Sequence, residues 1–347
     1  MNISRRDFLR SAGLASGIFT APMPFYFLAK EAHAFSNLEC KGKQVECVFT
    51  YVYNDKISMV IDTIRHYGSI VFRGFIVAEG EPHDFSRLTN LFPFPNPEDP
   101  PFKCSDRDGE VCTDLSTNII YGDFKNHPLS FNLKFNILDY RFNVIESALG
   151  IGNVFTSMPE TLLNFLLLDQ EDYPLITISK GDVNFKGKTY NLEGARGVIG
   201  HHWGYVFPDY LLLMCNGFEN PDNLLTVCYV ESMTRLGTTL KSGYFCLFQS
   251  EGEKKSFVSL LDGTIQNFIE NDLLCIVARH RKGLLSGEEI LRVNIDYKKG
   301  KMFPNFFNKP CKTILDVPCE VIDLSIGKPL GKGTKGVVDV KGLPILG

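Results

Sequence analysis

Short runs of β-branched and aromatic residues recur along this chain of 347 residues and set its fold class. Clusters of glycine, asparagine, aspartate and proline, which favour turns, separate one run from the next. The runs with strand character are Val48–Tyr53, Ser69–Val77, Ser130–Leu138, Leu175–Ser179, Tyr210–Phe218, Leu225–Glu231, Gly243–Gln249, Leu274–Ala278, Leu291–Tyr297 and Glu320–Ser325. Many short strands joined by turns predict an all-β protein, with two barrel or sandwich units and few short helices.

Two segments predict the short helices. Ile57–Tyr67 has apolar residues at helical spacing. Ser157–Glu160 is a capping box with proline at an early helical position, and it predicts a helix over Thr161–Leu168. Because the second helix lies between two groups of strands, the sequence predicts an N-terminal β domain over 35–156 and a C-terminal β domain over 157–347.

The first residues have the features of an export signal. Ser4–Arg10 contains paired arginines, an apolar stretch follows over 12–29, and Ala32–Ala34 provides the small residues that a signal peptidase recognises. We therefore expect the twin-arginine translocase to export the folded chain, and residues 1–34 to be removed as a signal peptide. The product would be periplasmic or secreted, with no membrane span after cleavage. The alternative is a retained anchor, although two prolines interrupt the apolar stretch.

All ten cysteines follow this segment, and an even number of cysteines in an exported chain predicts disulfide bonds. The candidate pairs are Cys40 with Cys47, Cys104 with Cys112, Cys311 with Cys319, and Cys215 with Cys228 across a hairpin. The alternative is that several are small buried apolar residues. Because no two cysteines are spaced as CxxC, the sequence predicts neither a thiolate zinc site nor a redox motif. No ligand cluster in the sequence supports a cofactor.

Charge and motif content exclude several classes of function. The formal net charge is −4, and there is no long basic run of the kind that nucleic-acid binding requires. Hydrolase nucleophile elbows, phosphate loops, zinc-protease helices and dinucleotide fingerprints are also missing from the sequence. The 28 phenylalanines are sufficient for a large core, and some of them could line an apolar cavity.

Residues 181–218 are the most recognisable segment. A predicted hairpin with a glycine turn over Asp182–Leu192 is followed by a Trp-Gly step, a Phe-Pro pair and an apolar strand. This segment resembles the core motif of the tocopherol cyclase family and of the related lipocalin-like carotenoid hydratases. The matching positions are Gly187, Tyr190, Leu192, Gly194, His202, Trp203, Gly204, Phe207, Pro208, Asn216 and Phe218. The resemblance implies two lipocalin-like barrels that hold an isoprenoid or other lipid.

The resemblance also implies a chemistry and a set of site residues. In the family an acid protonates a carbon–carbon double bond, and water or a phenol oxygen then captures the cation. His202 is the corresponding catalytic candidate. The ligand-binding candidates are Trp203, Tyr190, Phe207, Phe218 and Asn216. One position departs from the cyclase pattern, since this chain has Gly200 where the cyclases tend to carry a glutamate.

The adjacent residues His201 and His202 cannot both reach one cavity, because neighbours on a strand point to opposite faces. The alignment beside Trp203 favours His202 as the inward residue, acting as a proton donor or as a polar anchor for a ligand. Alternatively, His202 is a structural histidine bonded to a backbone carbonyl. Trp203 likewise is either core packing or a wall that stabilises a cation.

The sequence thus supports one main hypothesis and one alternative. The main hypothesis is an exported lipocalin-like protein that binds a hydrophobic molecule and that could catalyse its hydration or cyclisation. The alternative is a disulfide-stabilised structural or interaction protein without a small ligand.

Overall fold

Most of the described chain lies in two antiparallel β-sheets. The computed structural model describes residues 45–66, 69–86, 102–106, 109–125, 127–138, 142–143, 168–204, 209–233, 239–249, 253–258, 263–281, 287–307 and 309–343. The all-β prediction is confirmed, since these residues form strands and turns and no helix. Within those ranges there is accordingly no helix that could cross a membrane.

The first sheet contains the strands before residue 205. They are β1 (Val45–Tyr53), β2 (Ile57–His66), β3 (Ser69–Ala78), β4 (Glu81–Asp84), β5 (Phe102–Asp106), β6 (Gly109–Asp114), β7 (Ile119–Phe124), β8 (Leu129–Ile137), β9 (Phe142–Asn143), β10 (Leu168–Phe185), β11 (Lys188–Asn191) and β12 (Arg196–Gly204). The order is β4-β3-β2-β1-β12-β10-β8-β7-β6-β5, and β9 and β11 also pair with β10. Pairing of β12 with β1 joins the later strands to the earlier ones.

The second sheet contains the remaining strands. They are β13 (Asp209–Cys215), β14 (Leu224–Met233), β15 (Thr239–Phe248), β16 (Lys254–Val258), β17 (Gly263–Glu270), β18 (Leu273–Arg281), β19 (Glu288–Ile295), β20 (Lys301–Phe307), β21 (Lys309–Asp323) and β22 (Lys328–Lys341). The order is β16-β15-β14-β13-β22-β21-β19-β18-β17, and β20 also pairs with β21.

Three layers of buried apolar side chains follow from strand alternation. One layer, here called the first interior, contains only residues of the first sheet, such as Val48 and Val52 of β1. The second interior contains only residues of the second sheet. Residues of both sheets meet in the third, the inter-sheet layer, where Phe75 and Phe303 have ring centroids 4.8 Å apart. Because successive side chains of a strand point to opposite faces, the residues of β1 lie alternately in the first interior and in the inter-sheet layer.

The first sheet is strongly curled. Phe72 of β3 and Phe124 of β7 have ring centroids 5.6 Å apart, although five strands lie between β3 and β7 in the sheet order. Lys188 of β11 also forms an ion pair with Glu79 in the β3–β4 turn. Such contacts require the two ends of the sheet to approach each other around the first interior, as in a half-barrel.

The predicted helix over Ile57–Tyr67 is wrong, because Ile57–His66 forms strand β2. From Ile57 to Ile64 every residue of β2 is buried. A strand that is buried on both faces is apolar on both, so its sequence also satisfies the helical spacing. The predicted helix over 161–168 lies outside the described residues except for Leu168, which begins β10.

The predicted hairpin over Asp182–Leu192 is confirmed as β10–β11. Phe185 pairs with Lys188, so the loop contains two residues. Lys186 and Gly187 both have positive φ, 51° and 77°. This is the type I′ arrangement, whose twist matches that of the flanking strands.

The predicted boundary between residues 156 and 157 lies outside the described residues, and the two-domain division stays a prediction. Strands β10 to β12, which the sequence placed in the C-terminal domain, belong to the first sheet. The chain passes from the first to the second sheet between Gly204 and Asp209.

None of the predicted disulfide pairs is present among the eight cysteines whose side chains the structure describes. Cys215 lies in the second interior and Cys228 in the inter-sheet layer, so they are on opposite faces of one sheet. Cys311 and Cys319 lie on the same strand, roughly 25 Å apart at the usual rise per residue. A disulfide requires Cα atoms within about 7 Å. Cys104 pairs with Val111 rather than Cys112, and Cys40 lies outside the described residues.

Candidate functional site

Four buried polar atoms without a hydrogen-bond partner belong to residues that face the first interior. They are Oγ1 of Thr50, Thr63 and Thr113, and Nε2 of His83. Their direct cross-strand neighbours are all residues of the first interior: Ile61, Val48, Ile120 and Ile76. Directly paired residues share a face of the sheet, so these four polar groups point to the same apolar enclosure.

The four groups are chemically unusual because buried polar atoms are nearly always hydrogen-bonded. A buried hydroxyl without a partner costs roughly 1–3 kcal/mol of stability. Thr50 is itself a residue of β1. Thr63 lies beside Val48 of β1, and His83 lies in the same row of paired residues as Val52. These groups therefore extend over roughly 13 Å along the strand direction. A few polar groups at fixed positions among apolar and aromatic side chains are typical of the lining of small-molecule sites.

His83 lies at one end of the first interior, in a cluster of aromatic and basic side chains. Its ring centroid is 5.2 Å from that of Phe185 and 6.2 Å from that of His127. Lys186 Nζ lies 5.0 Å from the centroid of Phe185. Burial lowers the pKa of His83, and the nearby Lys186 and His127 lower it further, whereas Asp84 opposes them. His83 is therefore held in its neutral form at pH 7.

The catalytic candidate His202 lies elsewhere, in the inter-sheet layer. Its Nε2 is 3.5 Å from Oδ1 of Asp172, which is fully buried. Thr226 Oγ1 donates a hydrogen bond of 2.6 Å to Asp172 Oδ2, and Tyr244 Oη donates one of 2.8 Å to the same oxygen. Burial and the neighbouring Asp172 raise the pKa of Tyr244 well above its ordinary value, so its hydroxyl stays protonated as a donor. Asp172 thus joins the two sheets.

Gly200 gives the His202–Asp172 contact its space. Asp172 pairs directly with Gly200 across β10 and β12. A Cβ atom at Gly200 would lie 2.8 Å from His202 Nε2 and 3.2 Å from Asp172 Oδ1. At the position where cyclases tend to carry a glutamate, this chain therefore has a glycine, and the space beside it is filled by the side chains of His202 and Asp172.

The other predicted site residues are spread over all three layers. Asn216 is fully buried between the sheets: its Oδ1 accepts a hydrogen bond from Tyr53 Oη at 2.7 Å. Its Nδ2 donates to the carbonyl oxygens of Pro174 and Gly197, at 3.1 and 2.7 Å. These three bonds join the residue that follows β13 to β1, β10 and β12.

Tyr190 and Phe218 face different enclosures. Tyr190 is in the first interior and Phe218 in the second. The backbone of Trp203 pairs with Glu46 and Asp169, but its side chain and the whole of Phe207 lie outside the described residues. Of the predicted residues with described side chains, only His202 and Asn216 therefore share a layer.

A second polar centre in the inter-sheet layer was not predicted. Arg73 Nε donates to Asp62 Oδ2 at 2.6 Å, and Arg73 Nη2 donates to Asp339 Oδ2 at 2.9 Å. Tyr210 and Thr313 donate hydrogen bonds to Asp339, and Cys47 Sγ donates to Asp62 at 2.9 Å.

This centre is almost inaccessible to solvent: Asp62, Arg73 and Asp339 are at most 3% exposed. Burial raises the pKa of Asp62, although the Arg73 guanidinium opposes this. For Arg73, burial alone would lower the pKa, but Asp339 and Asp62 raise it well above its ordinary value. Arg73 therefore remains charged and holds the two carboxylates together.

No group of three or more histidine, cysteine, aspartate or glutamate side chains suited to a metal ion occurs in the described ranges.

Comparison with known proteins adds a remote structural similarity. No protein-family model matches the sequence, and no curated protein matches it. Among solved structures, a provisionally named AttH protein from Nitrosomonas europaea is similar, with 8% sequence identity and a TM-score of 0.46. The alignment covers 86% of this chain and 93% of that chain. A likeness this remote carries no argument about function, and the fold described above rests on the strand pairing itself.

Proposed function

We propose that this protein is an exported, lipocalin-like protein that binds a hydrophobic, isoprenoid- or lipid-like molecule in the first interior. The observation that carries the proposal is the set of four unpartnered polar atoms on Thr50, Thr63, Thr113 and His83. In the unliganded protein each of these atoms costs stability, and a ligand with a few polar atoms would satisfy them. The resemblance of residues 181–218 to lipid-handling proteins supports the same ligand class, and the N-terminal sequence supports export.

Replacing Thr50 or Thr63 by valine is expected to stabilise the unliganded protein and to weaken ligand binding. Valine has nearly the shape of threonine but removes the unpaired hydroxyl, so the free energy of unfolding should rise by about 1–3 kcal/mol. Binding should weaken because the ligand loses a hydrogen-bond partner. Urea denaturation and a titration with retinol, a fluorescent isoprenoid alcohol, measure the two effects.

Thr226→Val is the matched control for this experiment. Thr226 is also buried, but its hydroxyl is bonded to Asp172. Loss of the Thr226 hydroxyl leaves the buried Asp172 carboxylate with one hydrogen-bond donor fewer, so the free energy of unfolding should fall by about 1–3 kcal/mol. If Thr50→Val and Thr63→Val also lose stability and bind retinol as well as the unmodified protein does, the proposed function is wrong.

Catalysis by His202 is a separate part of the proposal. His202 Nε2 lies 3.5 Å from Asp172 Oδ1 without a hydrogen bond, so the pair lacks the link by which an aspartate orients a histidine for proton transfer. Its proton could act only on a group that reaches the inter-sheet layer, because His202 and the first interior are on opposite faces of β12. This position favours the structural interpretation of His202.

We therefore expect His202→Ala to lower the free energy of unfolding by about 1–3 kcal/mol, because removal of the buried imidazole leaves a cavity beside Asp172. Retinol affinity should be unchanged, since the substitution lies on the far side of β12. Urea denaturation and the retinol titration test both statements. Lost turnover or binding with unchanged stability would instead support the catalytic interpretation.

A further inference from the structure

One end of the first interior brings together three basic side chains from three separate elements. His83 comes from β4, His127 from the turn between β7 and β8, and Lys186 from the turn between β10 and β11. The rings of Phe185 and Phe124 lie beside them: Phe124 is 6.5 Å from His127 in an edge-on arrangement. Phe124 and Phe185 belong to the first interior, so the basic groups lie where that interior ends.

These basic groups are not neutralised by the carboxylates around them. Lys186 and His127 form no ion pair with any residue that the structure describes, and their recorded side-chain contacts are with aromatic rings. Asp84, the acid whose charge acts on His83, accepts hydrogen bonds from the backbone nitrogen and hydroxyl of Ser86. Glu79, in the β3–β4 turn, is paired with Lys188.

From this arrangement we propose that the end formed by His83, His127 and Lys186 binds the anionic head group of an amphiphile. The inference rests on the proposed function, because the apolar tail would lie along the first interior. The unpartnered Nε2 of His83 supplies one donor, and the Lys186 ammonium supplies charge. Hydrogen bonds to a charged group are stronger than those between neutral groups. An anionic head group should therefore bind more tightly at this end than an alcohol does.

Binding of an anion also couples to the protonation of His83. Burial, Lys186 and His127 keep the pKa of His83 below its ordinary value, against the smaller effect of Asp84. An anion at this end would raise that pKa, so binding takes up a proton. Affinity should accordingly be highest at low pH and fall as the pH rises through the pKa of the bound form.

Displacement of retinol by a matched pair of probes tests the proposal. Hexadecanesulfonate carries a charge that does not change with pH, and hexadecanol has the same tail without the charge. The sulfonate is expected to bind about tenfold more tightly than the alcohol, because one charge-assisted hydrogen bond is worth about that factor. Lys186→Gln and His83→Gln should each lower the sulfonate affinity by about threefold, towards that of the alcohol, and leave hexadecanol within about twofold.

Lys188→Gln is the matched control, because it removes the same charge from the same hairpin, but from a lysine already paired with Glu79. It should alter neither affinity. From about pH 5.5 to about pH 8, sulfonate affinity should fall in the unmodified protein and should fall by less in His83→Gln.

Three results would overturn the proposal. If hexadecanesulfonate and hexadecanol bind equally, or if the variants weaken the binding of both probes equally, the proposed head-group site is wrong. The proposed function would still stand in that case, because retinol and hexadecanol bind. If sodium sulfate alone competes as well as the sulfonate does, the site binds free anions and the tail plays no part. If neither probe nor retinol binds, the proposed function fails together with the inference.

Discussion

Replacement of Arg73 by methionine should lower the free energy of unfolding by about 3–5 kcal/mol, because two buried carboxylates lose their cation. Asp62 and Asp339 are almost inaccessible, and the guanidinium donates to both. Water cannot replace it in a layer closed by apolar side chains from both sheets. Urea denaturation followed by circular dichroism measures the loss.

The loss should depend on pH in a defined direction. Burial already raises the pKa of Asp62, and removal of the guanidinium would raise it further. The folded variant then binds a proton more readily than the unfolded chain, so protonation favours folding. The destabilisation should be complete above the pKa of folded Asp62 and should shrink as the pH falls towards the ordinary range of about 4.

Two controls separate this explanation from a simple packing defect. Arg292→Met removes an arginine whose partner, Glu270, is half exposed, so it should cost about 1 kcal/mol or less. The combination Arg73→Met, Asp62→Asn and Asp339→Asn removes the whole ionic centre and should recover most of the stability. Equal instability of the single and triple variants would show that volume, not charge, matters at this centre.

The second large effect is expected from Gly74→Ala. A Cβ atom at Gly74 would lie 2.1–2.6 Å from three ring atoms of Phe85, far inside van der Waals contact. Phe85 is fully buried in the first interior, so its ring must leave. We expect a cost of about 3–5 kcal/mol, comparable with deleting a buried phenylalanine ring.

A double-mutant cycle tests this mechanism. If Gly74→Ala acts by expelling the ring, the combination Gly74→Ala with Phe85→Ala should be no less stable than Phe85→Ala alone. Gly287→Ala is the matched control, since nothing lies within 4 Å of its added Cβ, and it should change stability by about 0.5 kcal/mol or less. Additive losses at Gly74 and Phe85 would contradict the explanation.

The same variants bear on ligand entry. The Phe85 ring lies 5.8 Å from that of Phe72 and 5.5 Å from that of Phe124, so it closes the first interior beside the short edge strand β4. Its removal should speed retinol binding in a stopped-flow measurement, provided that the ligand occupies this interior.

Local chemistry made part of the fold predictable from the sequence. The β-branched and aromatic runs predicted the strands, and the glycine turn over Lys186–Lys188 predicted the β10–β11 hairpin, whose loop has two residues in the structure. The segment Ile57–Tyr67 was misassigned because burial on both faces removes the alternation that distinguishes a strand. The pairs Cys215–Cys228 and Cys311–Cys319 failed because sequence spacing indicates neither the face nor the register.

The candidate site was less predictable because its contacts join residues distant in the chain. Arg73 and Asp339 are 266 positions apart, and only the packing of one sheet on the other brings them together. Asp62 and Asp339 did carry a signal, since each is an acid in a short and mostly apolar run, Val60–Ile64 or Val337–Val340. Thr50, Thr63 and Thr113 carried none, because threonine is common in strands and only the structure shows that their hydroxyls lack partners.

Photo-crosslinking gives the most direct test of ligand binding in the first interior. Protein exported with its own signal would be treated with a diazirine-bearing hexadecanoic acid, irradiated, and mapped by peptide mass spectrometry. The account predicts labelling that saturates with probe concentration and is competed by unlabelled acid, on peptides that contain Phe72, Phe85 or Phe124. Labelling confined to exposed apolar residues such as Leu324 and Ile326, or labelling that unlabelled acid does not reduce, would contradict it.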